Sequence, residues 1–267
     1  MAEICLIPPA GECIHIDEAR NDRRIDDHAD DAKIRSLIVA ARQAAESKTR
    51  QQFLHARWKL VLNGFPYVMR LPHSPLVDVV SIEYMDMASA WQTMPPADYA
   101  VNDAMTPAII TPVFGRVWPI PLPQIGTVRV TYNAGYASPF ITGGTLSATQ
   151  IRVTGPVVWA VGARVQFYNS GGVLPAPLDA DQSYLVATAT SGVYTLTDAA
   201  GSTVTFTQPG TGRNFIGVVP DGIRSWMLLR VGSLFENREE VSIGQRLTMV
   251  EPAFVDGLLA PFMTDLA

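Results

Sequence analysis

The chain has 267 residues, 48% of them hydrophobic and 17% charged, with a net charge of −5 and a pI near 5.4. That balance suits a packed core and excludes a disordered chain, and it argues against a protein that grips nucleic-acid phosphates through a basic surface. The length fits one large or two ordinary domains. Cys5 and Cys13, the only cysteines, match neither a disulfide framework nor a zinc spacing. The first ten residues lack the pattern of a signal peptide, and no apolar run reaches the roughly 18 residues of a membrane span. A chain made and kept in the cytoplasm, or assembled there, is expected.

Residues 1–13 read as a loose terminus. Ile16-Asp17-Glu18-Ala19-Arg20 reads as one or two helical turns, with Ile25 as an apolar anchor. A main helix is predicted over residues 26–50, because Ile34, Leu37, Ile38, Ala41, Ala44, Ala45 and Lys48 recur at spacings of three and four. Asp26, Asp27, Asp30 and Asp31 crowd its start, where negative charge complements the helix dipole and supplies capping oxygens. Lys48 and Arg50 stand at the opposite end. From Ala56 the period changes. Trp58, Leu60 and Leu62 alternate, Asn63-Gly64 is a hairpin-type turn, and Tyr67, Met69 and Leu71 alternate again, which predicts a hairpin. Pro72 and Pro75 break that run. Further strands are predicted over residues 77–85, 99–101, 108–111 and 128–132.

Composition then shifts sharply. Residues 138–217 hold no Lys and no Glu, and their only charges are Arg152, Arg164, Arg213, Asp179, Asp181 and Asp198. Alternating β-branched and aromatic residues recur at 151–153, 165–167, 184–186, 194–196 and 204–206, separated by Gly, Pro, Asn or Asp. Short strands at this spacing predict a small barrel or sandwich. After Gly217 the helical period returns over residues 219–238, with Pro220 in the first turn and Ile223, Met227, Leu228, Val231, Leu234 and Phe235 as a stripe that should pack on the first helix. A last segment follows Glu251-Pro252, where Phe254, Leu258, Leu259 and Phe262 form a short apolar face.

Catalytic chemistry finds little to stand on. His15, His28, His55 and His73 are scattered without a metal spacing. The run Asp26-Asp27-His28-Ala29-Asp30-Asp31 reads as a solvated helix start rather than a cation loop. Gly210-Thr211-Gly212 and Ser170-Gly171-Gly172 lack the Walker lysine and the nucleophile elbow, and read as turns. Trp91, Trp118, Trp159 and Tyr168 offer stacking surfaces, although aromatics in β-rich chains are mostly packing. No catalytic residue, metal site or cofactor is assigned.

The order of segments resembles the head-to-tail connector, or adaptor, proteins of long-tailed bacteriophages. The resemblance covers residues 14–137 and 218–263. It is carried by Ile16-Asp17-Glu18-Ala19-Arg20, Ile34-Arg35-Ser36-Leu37-Ile38-Val39-Ala40-Ala41-Arg42 with Glu46, Trp58-Lys59-Leu60, Leu71-Pro72-His73-Ser74-Pro75-Leu76 and Val79-Val80-Ser81-Ile82-Glu83-Tyr84. It continues through Trp118-Pro119, Val128-Arg129-Val130-Thr131-Tyr132-Asn133-Ala134-Gly135-Tyr136 and a Val219-Pro220 helix ending Phe235-Glu236-Asn237-Arg238-Glu239. In that family the Ala-Gly-Tyr segment normally runs through a short loop into the Val-Pro helix, so residues 138–217 are an insertion. The insertion looks like a small β-module of phage structural proteins, through Val161-Gly162-Ala163-Arg164-Val165-Gln166-Phe167, Leu174-Pro175-Ala176-Pro177-Leu178, Tyr184-Leu185-Val186, Tyr194-Thr195-Leu196 and Gly210-Thr211-Gly212.

The resulting expectation is an α+β chain: a helical frame with a β-rich segment, residues 1–137 and 218–267, interrupted by an all-β domain at 138–217. The resemblance implies a non-enzymatic virion protein of the neck, assembled in the host cytoplasm without contact with a membrane. It would form a homo-oligomeric ring of about twelve subunits through a head-to-tail interface. The ring would sit beneath the portal protein, extend the DNA channel and receive the downstream neck or tail-completion protein. Genomic DNA would pass without specific binding, which the acidic balance suits. Phe254, Leu258, Leu259, Phe262 and Leu266 are the candidate portal-docking residues. The alternative expectation is a decoration or adhesion protein whose inserted module binds a host-surface glycan, for which clustered exposed aromatics on the module would speak.

Overall fold

The computed structural model describes residues 2–9, 11–154, 158–180, 182–236 and 252–264, with backbone alone for 252–254. β1 (Ala2–Ile7) precedes α1 (Ile16–Arg23) and α2 (Asp31–Thr49). The next strands are β2 (Ala56–Leu62), β3 (Met69–Arg70), β4 (Leu76–Met85), β5 (Trp91–Thr93), β6 (Tyr99–Asn102), β7 (Ile109–Pro112) and β8 (Val128–Ala134). Then come β9 (Ala137–Thr142), β10 (Gln150–Val153), β11 (Arg164–Ser170), β12 (Ser183–Thr190), β13 (Val193–Thr197) and β14 (Arg213–Gly217), before α3 (Asp221–Glu236) and α4 (Pro252–Gly257).

The helix period of residues 26–50 yields a shorter helix, α2, whose buried face is Ile34, Ile38, Ala41, Arg42, Ala45 and Thr49; Ala44 and Lys48 are exposed. Asp30 stands at the N-cap but makes no capping bond, while Asp27 accepts from the Ala29 amide at 3.2 Å and Asp31 pairs with Arg20 at 3.4 Å. Arg50 ends the helix in the left-handed conformation, with φ of 56°. α1 ends likewise at Arg24, and Ile25 packs against the same core. α3 packs with α2 in one core through Ile223, Met227 and Val231 of the expected stripe, joined by Trp226, which the stripe did not include.

The strands fall into three antiparallel sets: a five-stranded sheet in the order β1-β2-β8-β4-β5, a three-stranded sheet β3-β7-β6, and a closed barrel β10-β13-β12-β11-β14-β9. Three sequence expectations change here. The loose terminus is instead strand β1, paired with β2. The hairpin through Asn63-Gly64 does not form, since β2 pairs with β1 and β8 while Met69 and Arg70 pair with β7 in the other sheet. Asn63 turns to a distant partner, its side-chain oxygen accepting from the Gly126 amide at 3.1 Å. Residues 204–206 supply no full strand; β9 and β14, which carried no predicted strand, close the barrel instead, and the sandwich alternative falls away. The frame is mixed α+β, with strands taking a larger part in it than a helical frame implies.

Alternation explains how the barrel joins the frame. On β11 Phe167 points into the barrel core and Tyr168 into the core of the helices; on the paired β14 Ile216 and Phe215 divide the same way. Burying side chains of this size contributes roughly 2 kcal/mol each. The chain leaves the frame at Ala137 and returns at Gly217, and these two residues are themselves register partners.

Gly217 marks the closest approach of the two crossings, because a Cβ there would lie 2.1 Å from the Tyr136 carbonyl oxygen. Gly217→Ala is expected to lower stability by roughly 1–3 kcal/mol through overpacking against backbone that has no room to give. Urea unfolding followed by circular dichroism measures it, and an unchanged midpoint would show that the junction yields.

Candidate functional site

The closing segment lies on the α2–α3 pair. Leu259 is wholly buried in the helical core, and Val255, Leu258 and Phe262 pack half-buried around it. Gly222 on α3 admits the segment, since a Cβ there would meet the Leu258 carbonyl oxygen at 3.1 Å and the Phe262 ring at 3.2 Å. The Trp226 indole donates to Asp256 at 3.2 Å, Lys48 pairs with the same carboxylate, and the Thr264 amide donates to the Thr49 carbonyl at 3.0 Å. The Lys48 hydrogen bond leads in holding the Asp256 carboxyl below the usual carboxylate range. Of the five candidate docking residues, then, three sit on the chain's own frame. The Phe254 side chain and Leu266 fall outside the described residues.

A second cluster of interactions fixes the barrel to the helices. Glu18 accepts from Arg224 at 2.6 Å on both oxygens and from Arg164 of β11 at 3.3 Å. Gln166 donates to the Glu12 carbonyl at 2.8 Å, and Arg213 pairs with Asp78 of β4. Beneath them Arg42 reaches Glu12 at 2.7 Å and Glu46 at 2.8 Å, and Glu46 also accepts from the Phe53 amide at 3.0 Å. Burial lifts the Glu46 carboxyl above its ordinary value. Three of these arginines, Arg164, Arg213 and Arg224, escape sequence reading because nothing local marks a charge whose partner lies over a hundred positions away.

Among the described residues no group of three His, Cys, Asp or Glu side chains is placed to hold a metal. A cavity of about 370 Å³ opens beside β1 between Trp58, Pro72, His73, Arg50 and Thr264. It is lined by structural pairs: His73 stacks on Trp58 at 3.6 Å and sits 3.1 Å from Glu3. The four aromatics singled out in the sequence do not converge. Trp159 and Tyr168 are buried, Trp118 stacks on Phe65, and the Arg129 guanidinium covers Trp91. The barrel turns its aromatics inward: Phe140, Trp159, Phe167, Tyr184 and Tyr194 fill its core, Tyr168 and Phe215 fill the frame's, and Phe206 is half-buried. The condition for the glycan alternative is therefore unmet among the described residues.

Exposed apolar side chains occur on the barrel, at Ile141, Val158, Val161, Val173 and Leu185, and on the frame. At the end of the five-stranded sheet that carries Asn63 and Met85, residues 113–126 expose Phe114, Val117, Ile120 and Ile125, beside an exposed Tyr67. The Leu122 amide donating to the Met85 carbonyl at 2.8 Å holds this loop.

No known family profile matches the chain, and no curated protein matches it. Solved structures do. A chain from the neck of an empty gene transfer agent (GTA) particle, computed with C6 symmetry, superposes with a TM-score of 0.58 at 15% identity, covering 100% of this chain and 97% of that one. A chain from the virion of the native GTA particle gives 0.58 at 14% identity, and one from the native GTA neck computed with C12 symmetry gives 0.55 at 14%, both with the same coverage. The shared feature is the fold.

His55 supplies a pH test of the barrel–frame contact. Its ring stacks on Phe215 with centroids 4.0 Å apart, and burial lowers its pKa to about 4. The unfolded chain protonates near the ordinary value of about 6.5. Stability from the neutral ring is therefore complete above about pH 6.5, is lost as pH falls through the window to about 4, and levels off below it. The expected loss is roughly 3 kcal/mol. Urea titrations across this window should show it, and His55→Phe should remove that share of the slope.

Proposed function

We propose that this chain is a structural protein of a phage-type neck: a head-to-tail adaptor whose copies form a ring beneath the portal. The ring extends the DNA channel and presents the attachment surface for the next neck or tail-completion protein. The observation that carries this reading is the correspondence in fold with neck chains of GTA particles, over 100% of this chain and 97% of those. The C12 symmetry of one such neck supports a ring of about twelve copies. The order of sequence segments, the exposed apolar loop at 113–126 and the acidic net charge agree with it. An acidic ring lets the genome slide, because it offers few cations to replace the counterions of DNA. The barrel, a discrete module at residues 138–217 inserted in a frame of 1–137 and 218–267, serves as a decorating element toward neighbouring neck proteins.

The closing segment is the portal-docking element in this reading. Leu259 anchors it to the frame, Leu258 and Phe262 flank the anchor, and Phe254 and Leu266 complete the set of docking candidates. Met263, next to Phe262 in the chain, is 46% exposed.

Deleting this reading frame from the parent phage and imaging lysates by electron microscopy tests the function. Separate heads and finished tails are expected; complete particles that fail to adsorb would instead make it an adhesion protein. Docking is tested by Met263→Asp with Leu266→Asp, which spares the buried anchor. Portal co-sedimentation should fall by roughly tenfold or more with an unchanged unfolding midpoint. Undiminished binding would move docking to another surface.

A further inference from the structure

The five-stranded sheet ends in two open edges. Among the described residues β1 pairs only with β2 and β5 only with β4, so each keeps one side of unpaired backbone groups. All three residues of β5 are exposed, as are the first five of β1. Edge strands that stay single are blunted by brevity, Lys, Pro or strong bulges, because an open row of N–H and C=O groups recruits another strand. β5 is three residues long, carries neither Lys nor Pro, and offers a short but open edge. β1 is six residues long, reads Ala-Glu-Ile-Cys-Leu-Ile, and carries neither Lys nor Pro. Its single charge, Glu3, faces His73, and the register shift near its end leaves Ala2 to Cys5 in unbroken pairing. Ile4 and Leu6 stand 48% and 41% exposed.

We propose that β1 is an assembly strand that adds onto β5 of a second copy, joining the sheets of neighbouring subunits edge to edge. The inference rests on the ring reading above and supplies its interface. A second copy is the occupant because each chain carries both halves of the joint. Strand direction alternates across β1-β2-β8-β4-β5, so the two outer strands of this five-stranded sheet run the same way. A rotation without a dyad therefore lays β1 parallel beside the neighbour's β5, a head-to-tail contact that repeats until the ring closes. A dyad would lay β1 antiparallel on β1, stop at a dimer and leave every β5 open. Only the head-to-tail arrangement covers both edges. Apolar side chains flank both sides of the joint, Ile4 and Leu6 on one and Met87 and Trp91 on the other.

Cys5 lies exposed on β1, whereas Cys13 is wholly buried, so the chain brings one usable thiol to the test. Gln92→Cys and Thr93→Cys, as separate variants, place a second thiol on opposite faces of β5. Phage particles carrying each variant are oxidised with copper phenanthroline at mildly alkaline pH, since burial raises the Cys5 thiol, and run on non-reducing gels. One of the two variants is expected to give a ladder of multimers that Cys5→Ser abolishes, while the unmodified chain stays monomeric. The purified Ile4→Lys, Leu6→Lys double variant should keep its circular dichroism spectrum and lose its place in the neck. A ring visible in particle averages with no ladder from either variant, or with the lysine pair incorporated normally, overturns the edge joint and leaves the ring reading standing. Disulfide dimers of the unmodified chain alone would replace it with dyad pairing. Particles whose averages lack a ring of this chain would overturn the adaptor reading itself.

Discussion

Everything in this molecule depends on how two strands cross from one core to another. β11 and β14 lie side by side, and alternate residues on each face opposite ways: Phe167 and Ile216 toward the barrel, Tyr168 and Phe215 toward the helices. A period of two is what makes this possible, since a strand buried on both faces has two apolar surfaces to offer. The barrel is thus not tethered by loops alone. It shares side chains with the frame, and the crossing pair Ala137 and Gly217 brings backbone so close that a methyl group would not fit.

Around this crossing the polar groups set direction. Burying Glu18, Arg42 and Glu46 costs desolvation that pairing only partly returns, so their net contribution to stability is small. Removing one partner is another matter, because it strands a charge. Glu18 holds a helix arginine and a barrel arginine at once, and Glu46 holds Arg42 together with the backbone where the chain turns toward β2. Tilting the barrel would break the Glu18–Arg164, Gln166–Glu12 and Arg213–Asp78 contacts together.

The closing segment shows the same economy. Its apolar residues read as a tail in search of a partner, yet Leu259 finds one in the chain's own helices, and Asp256 and Thr264 bond to α2 and α3. What remains outward is a ledge on a firm base. The sheet, by contrast, leaves its two edge strands without a second partner among the described residues, and residues 113–126 keep apolar side chains exposed.

Local periodicity was enough to determine the helices of the frame, most barrel strands, the compositional break at 138–217 and the absence of a catalytic motif, because each rests on neighbours within a few residues. The Ile34, Ile38, Ala41 face and the Ile223, Met227, Val231 face are legible for that reason. Pairing is not local. Asn63-Gly64 carries the residues of a hairpin, but β8 and β1 offered β2 longer partners than Met69 and Arg70 could. Likewise Ala2–Ile7 became a strand only because β2 had a free edge, and Ala137–Thr142 and Arg213–Gly217 only because a barrel must close. Which strand meets which, and that Glu18 holds Arg164 and Arg224 while Asp78 holds Arg213, was decided by tertiary structure, since those contacts join residues that no spacing in the sequence brings together.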